Sequence, residues 1–221
     1  MRTLEVLRLG RVGYAAGLAS MRAAAARVRA GGAGGGDALL LLEHPPVLTL
    51  GRGSTRADVV APPAWLAAHG VEVHEADRGG AATYHGPGQL VGYPVVDLRD
   101  RPDVRRFVRA LEEAMIRTCA DFGVVAHRHP LHRGAWVGAR KIGAVGVRVE
   151  GWLSTHGLAL NVAPELSHFG AIVPCGIRDP ELGVTSLAAE LARRGVGPPP
   201  LAAVEARLAA HLAGLLGRLP R

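Results

Sequence analysis

Two residues of this chain, Lys141 and Cys175, are of types that support nucleophilic chemistry. Of its 26 lysines and arginines, only Lys141 is a lysine. An arginine stays protonated in proteins, whereas a lysine can lose its proton when burial or neighbouring charge lowers its pKa. The one position that kept lysine is therefore a candidate for proton transfer or amine chemistry, and the alternative is a surface lysine without a function.

Cys175 is placed as a nucleophile would be, in a loop between Pro174 and Gly176. Proline restricts the backbone on one side, and glycine on the other side lets another group approach closely. A thiol needs a base or a cation nearby to become a reactive thiolate, and Lys141 suits either role. The other cysteine, Cys119, falls on the apolar stripe of a predicted helix, so we expect it in the core.

A glycine-rich segment at residues 78–90, RGGAATYHGPGQL, is predicted to be a loop that contacts a substrate. Its glycines expose backbone N–H groups and permit close approach, while Tyr84 and His85 add side-chain donors. No GK[ST] follows, and the segment does not open a helix after a strand, so neither a Walker-type phosphate loop nor a dinucleotide site is predicted. The alternative is a glycine-rich surface turn.

The histidines are weaker candidates. His127, His129 and His132 have the spacing HxHxxH, but no nearby cysteine or carboxylate completes a ligand set, so we predict no metal site. His156 stays a candidate because it lies on the β segment that also contains Lys141.

Composition narrows the class of protein. The chain has 221 residues, 48% of them hydrophobic, which suits one domain with a full core. No apolar run is long enough to span a membrane, and two cysteines make no disulfide framework, so we expect a cytoplasmic protein. The net charge of +7 predicts an anionic partner. Because the arginines are dispersed, nucleic acid is disfavoured and an acidic protein fits.

Apolar patterning predicts the elements that must position these residues. Strands are expected at residues 4–9, 38–42, 47–50, 71–74 and 91–98, and helices at residues 12–30, 63–69, 186–194 and 201–216. A further helix follows an Asp103 N-cap and ends at Gly123, with a core stripe of Val104, Phe107, Val108, Leu111, Met115, Cys119 and Phe122. Residues 134–162 predict a three-stranded antiparallel meander carrying Lys141, and the glycines of residues 31–36 predict a mobile loop.

Three separated stretches carry a resemblance to a known family. They are RGGAATYHGPGQLVGYPVVDL from Arg78, GAWVGARKIGAVGVRVEGWLSTHGLALNV from Gly134 and FGAIVPCGI from Phe169. In this order they resemble the motifs of the lipoyl(octanoyl) transferases, the lipoate-protein ligase B family. The resemblance spans most of residues 75–180.

The resemblance implies an α/β (α+β) fold, shared with biotin-protein ligase and the class II aminoacyl-tRNA synthetase core, with residues 1–221 as a single catalytic domain. It implies transfer of an octanoyl or lipoyl group from acyl carrier protein to a lysine ε-amine. The acceptors would be lipoyl domains of 2-oxoacid dehydrogenase complexes and the glycine cleavage H protein. No metal, nucleotide or other cofactor is required, and neither nucleic acid nor membrane is a partner.

The same resemblance assigns roles to residues. Cys175 matches the nucleophile that holds the acyl group as a thioester, and Lys141 matches the lysine that activates it. Three segments match substrate-binding positions: Arg78, Gly79, Gly80, Ala81, Ala82, Thr83, Tyr84 and His85; Ala144, Val145 and Gly146; and Gly157, Leu158 and Ala159. Two rival interpretations stay open, an ATP-dependent lipoate or biotin ligase of the same fold and a non-catalytic acyl-binding or basic binding module.

Overall fold

The computed structural model describes residues 2–31, 36–173, 179 and 181–221, which form two β-sheets flanked by helices. The strands are, in chain order, β1 (Thr3–Arg11), β2 (Asp37–Glu43), β3 (Val47–Leu50), β4 (Glu72–Glu75), β5 (Thr83–His85), β6 (Gln89–Val95), β7 (Ala135–Val137), β8 (Arg140–Glu150), β9 (Leu153–Asn161), β10 (Gly183–Val184) and β11 (Leu219–Pro220). The larger sheet has the order β10-β8-β9-β6-β2-β1-β11, with β7 paired to β8, and the smaller has the order β4-β3-β5.

Five helices are present among the described residues: α1 (Tyr14–Ala30), α2 (Pro63–Ala68), α3 (Val104–Asp121), α4 (Leu187–Ala192) and α5 (Leu201–Leu216). Short 3-10 helices lie at Arg56–Asp58 and Leu166–Ala171. All five predicted helices are confirmed, with small differences at their ends. None of the described helices combines the length and apolarity that crossing a bilayer demands. Cys175 and residues 32–35, the centre of the predicted glycine loop, lie outside the described residues.

The larger sheet is covered on both faces, which explains why its central strand β2 is apolar throughout. Leu39 and Leu41 pack in the core formed with α3 and α5, while Leu40 and Leu42 pack in the core formed with α1. A strand buried on both faces shows a continuous apolar run rather than alternation. The buried strand predicted at residues 38–42 is therefore confirmed.

The antiparallel meander that carries Lys141 is also confirmed. β7 pairs antiparallel with β8, and β8 pairs antiparallel with β9 from Gly143↔Leu160 to Glu150↔Leu153. β10 runs parallel to β8 and places Val184 opposite Lys141. Two-residue strands such as β10 and β11 carry no periodic pattern, so the sequence does not predict them.

The prediction of residues 78–90 as one loop is wrong in part. Thr83–His85 form β5, which pairs antiparallel with β3, and Gln89 begins β6. Three residues are too few for alternation to be visible in the sequence, so the pairing partner decides the structure here. In a strand, successive side chains point to opposite sides, and β5 therefore sends Thr83 and His85 one way and Tyr84 the other.

Helix α3 begins at the predicted cap, where the Asp103 carboxylate accepts a hydrogen bond of 2.9 Å from the Arg106 N–H. Four members of the predicted core stripe are fully buried: Phe107, Leu111, Met115 and Cys119. Val104 departs from the stripe because it is 36% exposed and lines a cavity mouth. The first turn of α3 extends past the core, and that end of the helix reaches the candidate site.

Candidate active site

A cavity of about 430 Å³ lies where the meander, the smaller sheet and the start of α3 meet. Residues of β8 and β9 line it together with residues 78–81 and β5, and the Gly79 N–H donates to the Val147 carbonyl of β8 at 2.9 Å. Tyr14 of α1 and Val104 and Val108 of α3 close the sides. The cavity is of the size that small-molecule sites commonly have.

The three segments predicted to bind substrate meet at this cavity. Twelve of their members line it: Arg78, Gly79, Gly80, Ala81, Thr83, His85, Ala144, Val145, Gly146, Gly157, Leu158 and Ala159. Ala82 and Tyr84 do not, because they pack in the core of the smaller sheet. The Tyr84 hydroxyl instead lies 2.9 Å from Nδ1 of His168, and burial raises the pKa of Tyr84 to about 12.

Lys141 lines the same cavity from β8 and is 8% exposed. Its Nζ lies 5.0 Å from the ring centroid of Trp136, within the range of a cation–π contact. No hydrogen-bond acceptor of Nζ is found within residues 2–31, 36–173, 179 and 181–221. A second small cavity beside Lys141 is lined by Phe169 and Val184, which lie on either side of Cys175 in the sequence. Cys175 itself is outside the described residues, so its pairing with Lys141 stays a prediction.

His85 is held in one tautomer by a chain of amide side chains. Its Nδ1 lies 2.6 Å from Oε1 of Gln89, whose Nε2 donates to the Tyr84 carbonyl at 3.1 Å and to Asn161 Oδ1 at 2.9 Å. Asn161 Nδ2 donates to the Thr185 carbonyl at 2.9 Å. The two donations orient the Gln89 amide, so its oxygen faces His85, and Nδ1 must carry the proton.

This arrangement leaves His85 neutral, with Nε2 as an acceptor on the cavity wall. Burial, together with the charges of the nearby His44 and Arg78, lowers the pKa of His85 to about 3. The sequence motif includes His85, but Gln89 and Asn161 carry no signal of their role because their contacts form only after β6 and β9 pair.

His44 and Tyr93 form a second buried polar pair near the cavity. His44 Nδ1 lies 2.8 Å from the Val12 carbonyl, and its Nε2 lies 2.8 Å from the Tyr93 hydroxyl. Burial lowers the pKa of His44 and raises that of Tyr93, so both groups stay neutral. Nδ1 then donates to the carbonyl, and the tyrosine donates to Nε2.

His156 also lines the cavity, in an unusual backbone conformation with φ of +57°. Its Nε2 lies 2.6 Å from Oδ1 of Asp77, which also pairs with Arg148. Burial lowers the pKa of His156 despite the opposing effect of Asp77. Non-glycine residues with positive φ concentrate at functional sites, and this position was a sequence candidate only through its proximity to Lys141.

Arg78 ties residues 78–81 to β3 of the smaller sheet. Nη2 donates to the carbonyl and the hydroxyl of Thr49 at 2.9 Å and 2.7 Å, and Nη1 donates to the Ala81 carbonyl at 2.8 Å. Gly146 leaves room for this guanidinium stem, because a Cβ there would lie 3.0 Å from Arg78 Cδ. A fixed positive charge is thereby built into the cavity wall.

Two of the HxHxxH histidines, His129 and His132, form an aromatic cluster with Trp136. The rings of His129 and His132 stack with centroids 4.9 Å apart, and His129 lies 4.8 Å from Trp136. His127 Nδ1 contacts the Arg128 carbonyl at 3.0 Å. Within the described part of the chain, no group of three or more histidine, cysteine or acidic residues is arranged to hold a metal ion.

The fold is shared with enzymes that attach lipoate and biotin. The bipartite lipoate protein ligase of Thermoplasma acidophilum superposes with a TM-score of 0.76 at 19% identity, covering 100% of this chain and 86% of the other. Biotin protein ligase of Aquifex aeolicus gives 0.51 at 10% identity, covering 98% and 69%. These likenesses establish the predicted fold class.

Sequence comparison identifies the family. The family model for the lipoyl protein ligase A/B catalytic domain matches residues 14–213. The octanoyltransferase of Myxococcus xanthus is 51% identical over 216 residues, which are 95% of this chain but 58% of that protein. The octanoyltransferase of Chloroflexus aggregans is 50% identical over 224 residues, covering 100% of this chain and 98% of the relative. The chain therefore belongs to the octanoyltransferase family of acyltransferases, built on the lipoyl protein ligase A/B catalytic domain.

Proposed function

We propose that this protein moves an octanoyl group from acyl carrier protein to a lysine ε-amine of lipoyl domains, through a thioester on Cys175. The observation that carries the proposal is the place of Lys141. The chain's single lysine lies in the wall of a cavity built from all three predicted substrate segments. Residues on both sides of Cys175 line the small cavity next to it.

The cavity walls suit an acyl chain. Val91, Val145, Leu158 and Ala159 supply apolar surface, and burial of such a chain is favoured in proportion to its apolar area. The polar groups of the lining include Lys141, His85, Arg78 and His156. An apolar pocket with a few fixed polar groups is the usual design of a small-molecule site.

The chemistry takes two balanced steps. The Cys175 thiolate attacks the carrier thioester carbon, a new thioester forms on Cys175, and the carrier thiolate leaves and takes up the proton that Cys175 released. The acceptor amine then attacks the Cys175 thioester, loses a proton, and the thiol departs as the amide forms. Lys141 accepts the Cys175 proton, or lowers the thiol pKa by its charge, before the first step.

The exchange of one thioester for another has a reaction free energy near zero, and the greater stability of the amide product drives the second step. No nucleotide is consumed, which separates this route from the ATP-dependent ligases. Residues 1–221 would act as a single catalytic domain in the cytoplasm, where a reduced thiol persists. The acceptors would be lipoyl domains of 2-oxoacid dehydrogenase complexes and the glycine cleavage H protein.

The Lys141→Arg variant tests the role of the lysine, because arginine keeps the charge and cannot serve as a base. We expect octanoyl transfer to a lipoyl domain to fall by about 10²–10⁴ fold, the usual contribution of a positioned base. Full activity in Lys141→Arg would reject the base role and leave only a requirement for charge. ATP-dependent use of free octanoate, undiminished in Cys175→Ala, would replace the proposal with a ligase.

A further inference from the structure

A groove of about 510 Å³ beside the cavity mouth is lined almost entirely by arginines. Arg105, Arg106 and Arg109 come from the first turns of α3, and Arg133 comes from the segment before β7. Arg105 and Arg133 also line the cavity that contains Lys141. The groove is therefore continuous with the candidate active site.

These arginines lack carboxylate partners among the described residues, unlike others nearby. Arg117 pairs with Glu113 at 2.8 Å, and Arg128 pairs with the same carboxylate at 2.8 Å. No ion pair joins Arg105, Arg106, Arg109 or Arg133 to any residue that the structure describes. The one acidic residue of the groove, Asp103, has its carboxylate engaged with the Arg106 backbone N–H.

The position of this charge is unfavourable for the helix itself. Cations near a helix N-terminus oppose the macrodipole, and Arg105 and Arg109 are like charges one turn apart. The first turn of α3 contains no acidic residue. The three arginines therefore do not stabilise the helix, and binding of an anion would explain their presence.

We propose that this arginine groove docks the donor, an acidic carrier domain whose acyl group rides on a phosphate-bearing arm. The inference rests on the proposed function and deepens it. Guanidinium groups bind phosphate and carboxylate oxygens in paired hydrogen bonds. Val104 and Leu131, exposed by 36% and 83%, border the cavity mouth and give the arm an apolar path inward.

The phosphate favours the donor over the acceptor as occupant. The carrier's arm brings a phosphodiester to the mouth of the cavity, whereas an acceptor lysine side chain brings none. Four arginines around one groove match the donor's anion, and the continuity of groove and cavity lets the thioester reach Lys141 while the phosphate stays outside. Charge complementarity of this kind raises the association rate more than it changes the chemical step.

The test uses Arg106→Glu and Arg109→Glu, which alter groove residues that do not line the cavity. Both side chains are exposed, and a glutamate at position 106 in the first turn is favourable to the helix, so both variants should fold. Arg29→Glu makes the same charge change on α1, away from both groove and cavity, and is the control. Acylation of each protein is followed with octanoyl-acyl carrier protein and with octanoyl-pantetheine, which lacks both the carrier and the phosphate.

We expect kcat/KM with octanoyl-acyl carrier protein to fall about tenfold in each groove variant, with kcat little changed and the defect larger at low salt. Arg29→Glu should match the wild type, and octanoyl-pantetheine should acylate all four proteins alike.

Undiminished acylation of the groove variants by octanoyl-acyl carrier protein would overturn the proposal, as would an equal loss of acylation with octanoyl-pantetheine. A loss confined to transfer onto the lipoyl domain would assign the groove to the acceptor instead. Failure of both donors to acylate the wild type would reject the thioester route itself, and docking of the donor with it.

Discussion

Replacing His85 with asparagine should make the protein less sensitive to mild acid. His85 is buried and neutral, and its Nδ1–H is donated to Gln89 at 2.6 Å. Protonating Nε2 would place a second charge near Arg78 without water to solvate it. Asparagine offers an amide donor to Gln89 at the same position and does not titrate.

The size of the effect follows from the difference in pKa between the folded and unfolded chain. In the folded protein the pKa of His85 is about 3, against an ordinary value of 6.5. Because the folded pKa is the lower one, the stabilisation is complete above 6.5 and is lost as pH falls from 6.5 towards 3. At about pH 5.5 the unfolded histidine is mostly protonated, and this one group costs about 1.4 kcal/mol of stability relative to about pH 7.5.

Urea unfolding at the two pH values measures this cost. We expect the wild type to lose about 1.4 kcal/mol more than His85→Asn between them. His44 and His156 shift in the same direction, while Asp37 and Glu205, whose pKa values burial raises, shift in the opposite direction. All four are present in both proteins and cancel in the difference, apart from the interaction of His44 and His156 with His85 itself. His69→Asn, at an exposed histidine, is the control. Equal pH dependence of His85→Asn and the wild type would refute the reasoning.

Two further substitutions separate packing from chemistry. Cys119 is fully buried, and burial raises the pKa of its thiol to about 12. Cys119→Ala should therefore lower the free energy of unfolding in urea by about 1 kcal/mol and leave octanoyl transfer intact. Loss of transfer at unchanged stability would mean that Cys119, and not Cys175, is the nucleophile. Gly157→Ala places a Cβ against the Pro94 ring and the Gly92 carbonyl. It should therefore lower the free energy of unfolding by about 1–3 kcal/mol and raise KM for the donor. A wild-type free energy of unfolding together with a wild-type KM would show that β9 has room for a methyl group at this position.

Much of the fold follows from patterns visible in the sequence. The continuous apolar run at residues 38–42 predicts a buried strand, and the periodic stripe after Asp103 predicts α3. The smaller sheet is less visible because β5 has three residues and obtains its structure by pairing with β3. Val104 belongs to the helical stripe by spacing, yet it is exposed because the core ends before the first turn of α3.

The site divides in the same way. Lys141 is identifiable by its type and residues 78–90 by their glycine-rich composition, whereas residues 144–146 and 157–159 are indicated only by the family resemblance. The side chains that orient the residues of the cavity walls cannot be anticipated from the sequence. Gln89 and Asn161 act on His85 through contacts between β6 and β9, and Asp77 reaches His156 across the fold. Ala82 and Tyr84 share the motif with Thr83 and His85, and only the geometry of β5 separates the two pairs.

The most direct test of the account is intact mass spectrometry after mixing the protein with octanoyl-acyl carrier protein in the absence of ATP. The wild type and Cys175→Ala are compared, with and without hydroxylamine. The account predicts an octanoyl adduct on the wild type alone, removed by hydroxylamine as a thioester would be. An equal adduct on Cys175→Ala, or no adduct on either protein while the carrier stays loaded, would contradict the covalent route through Cys175.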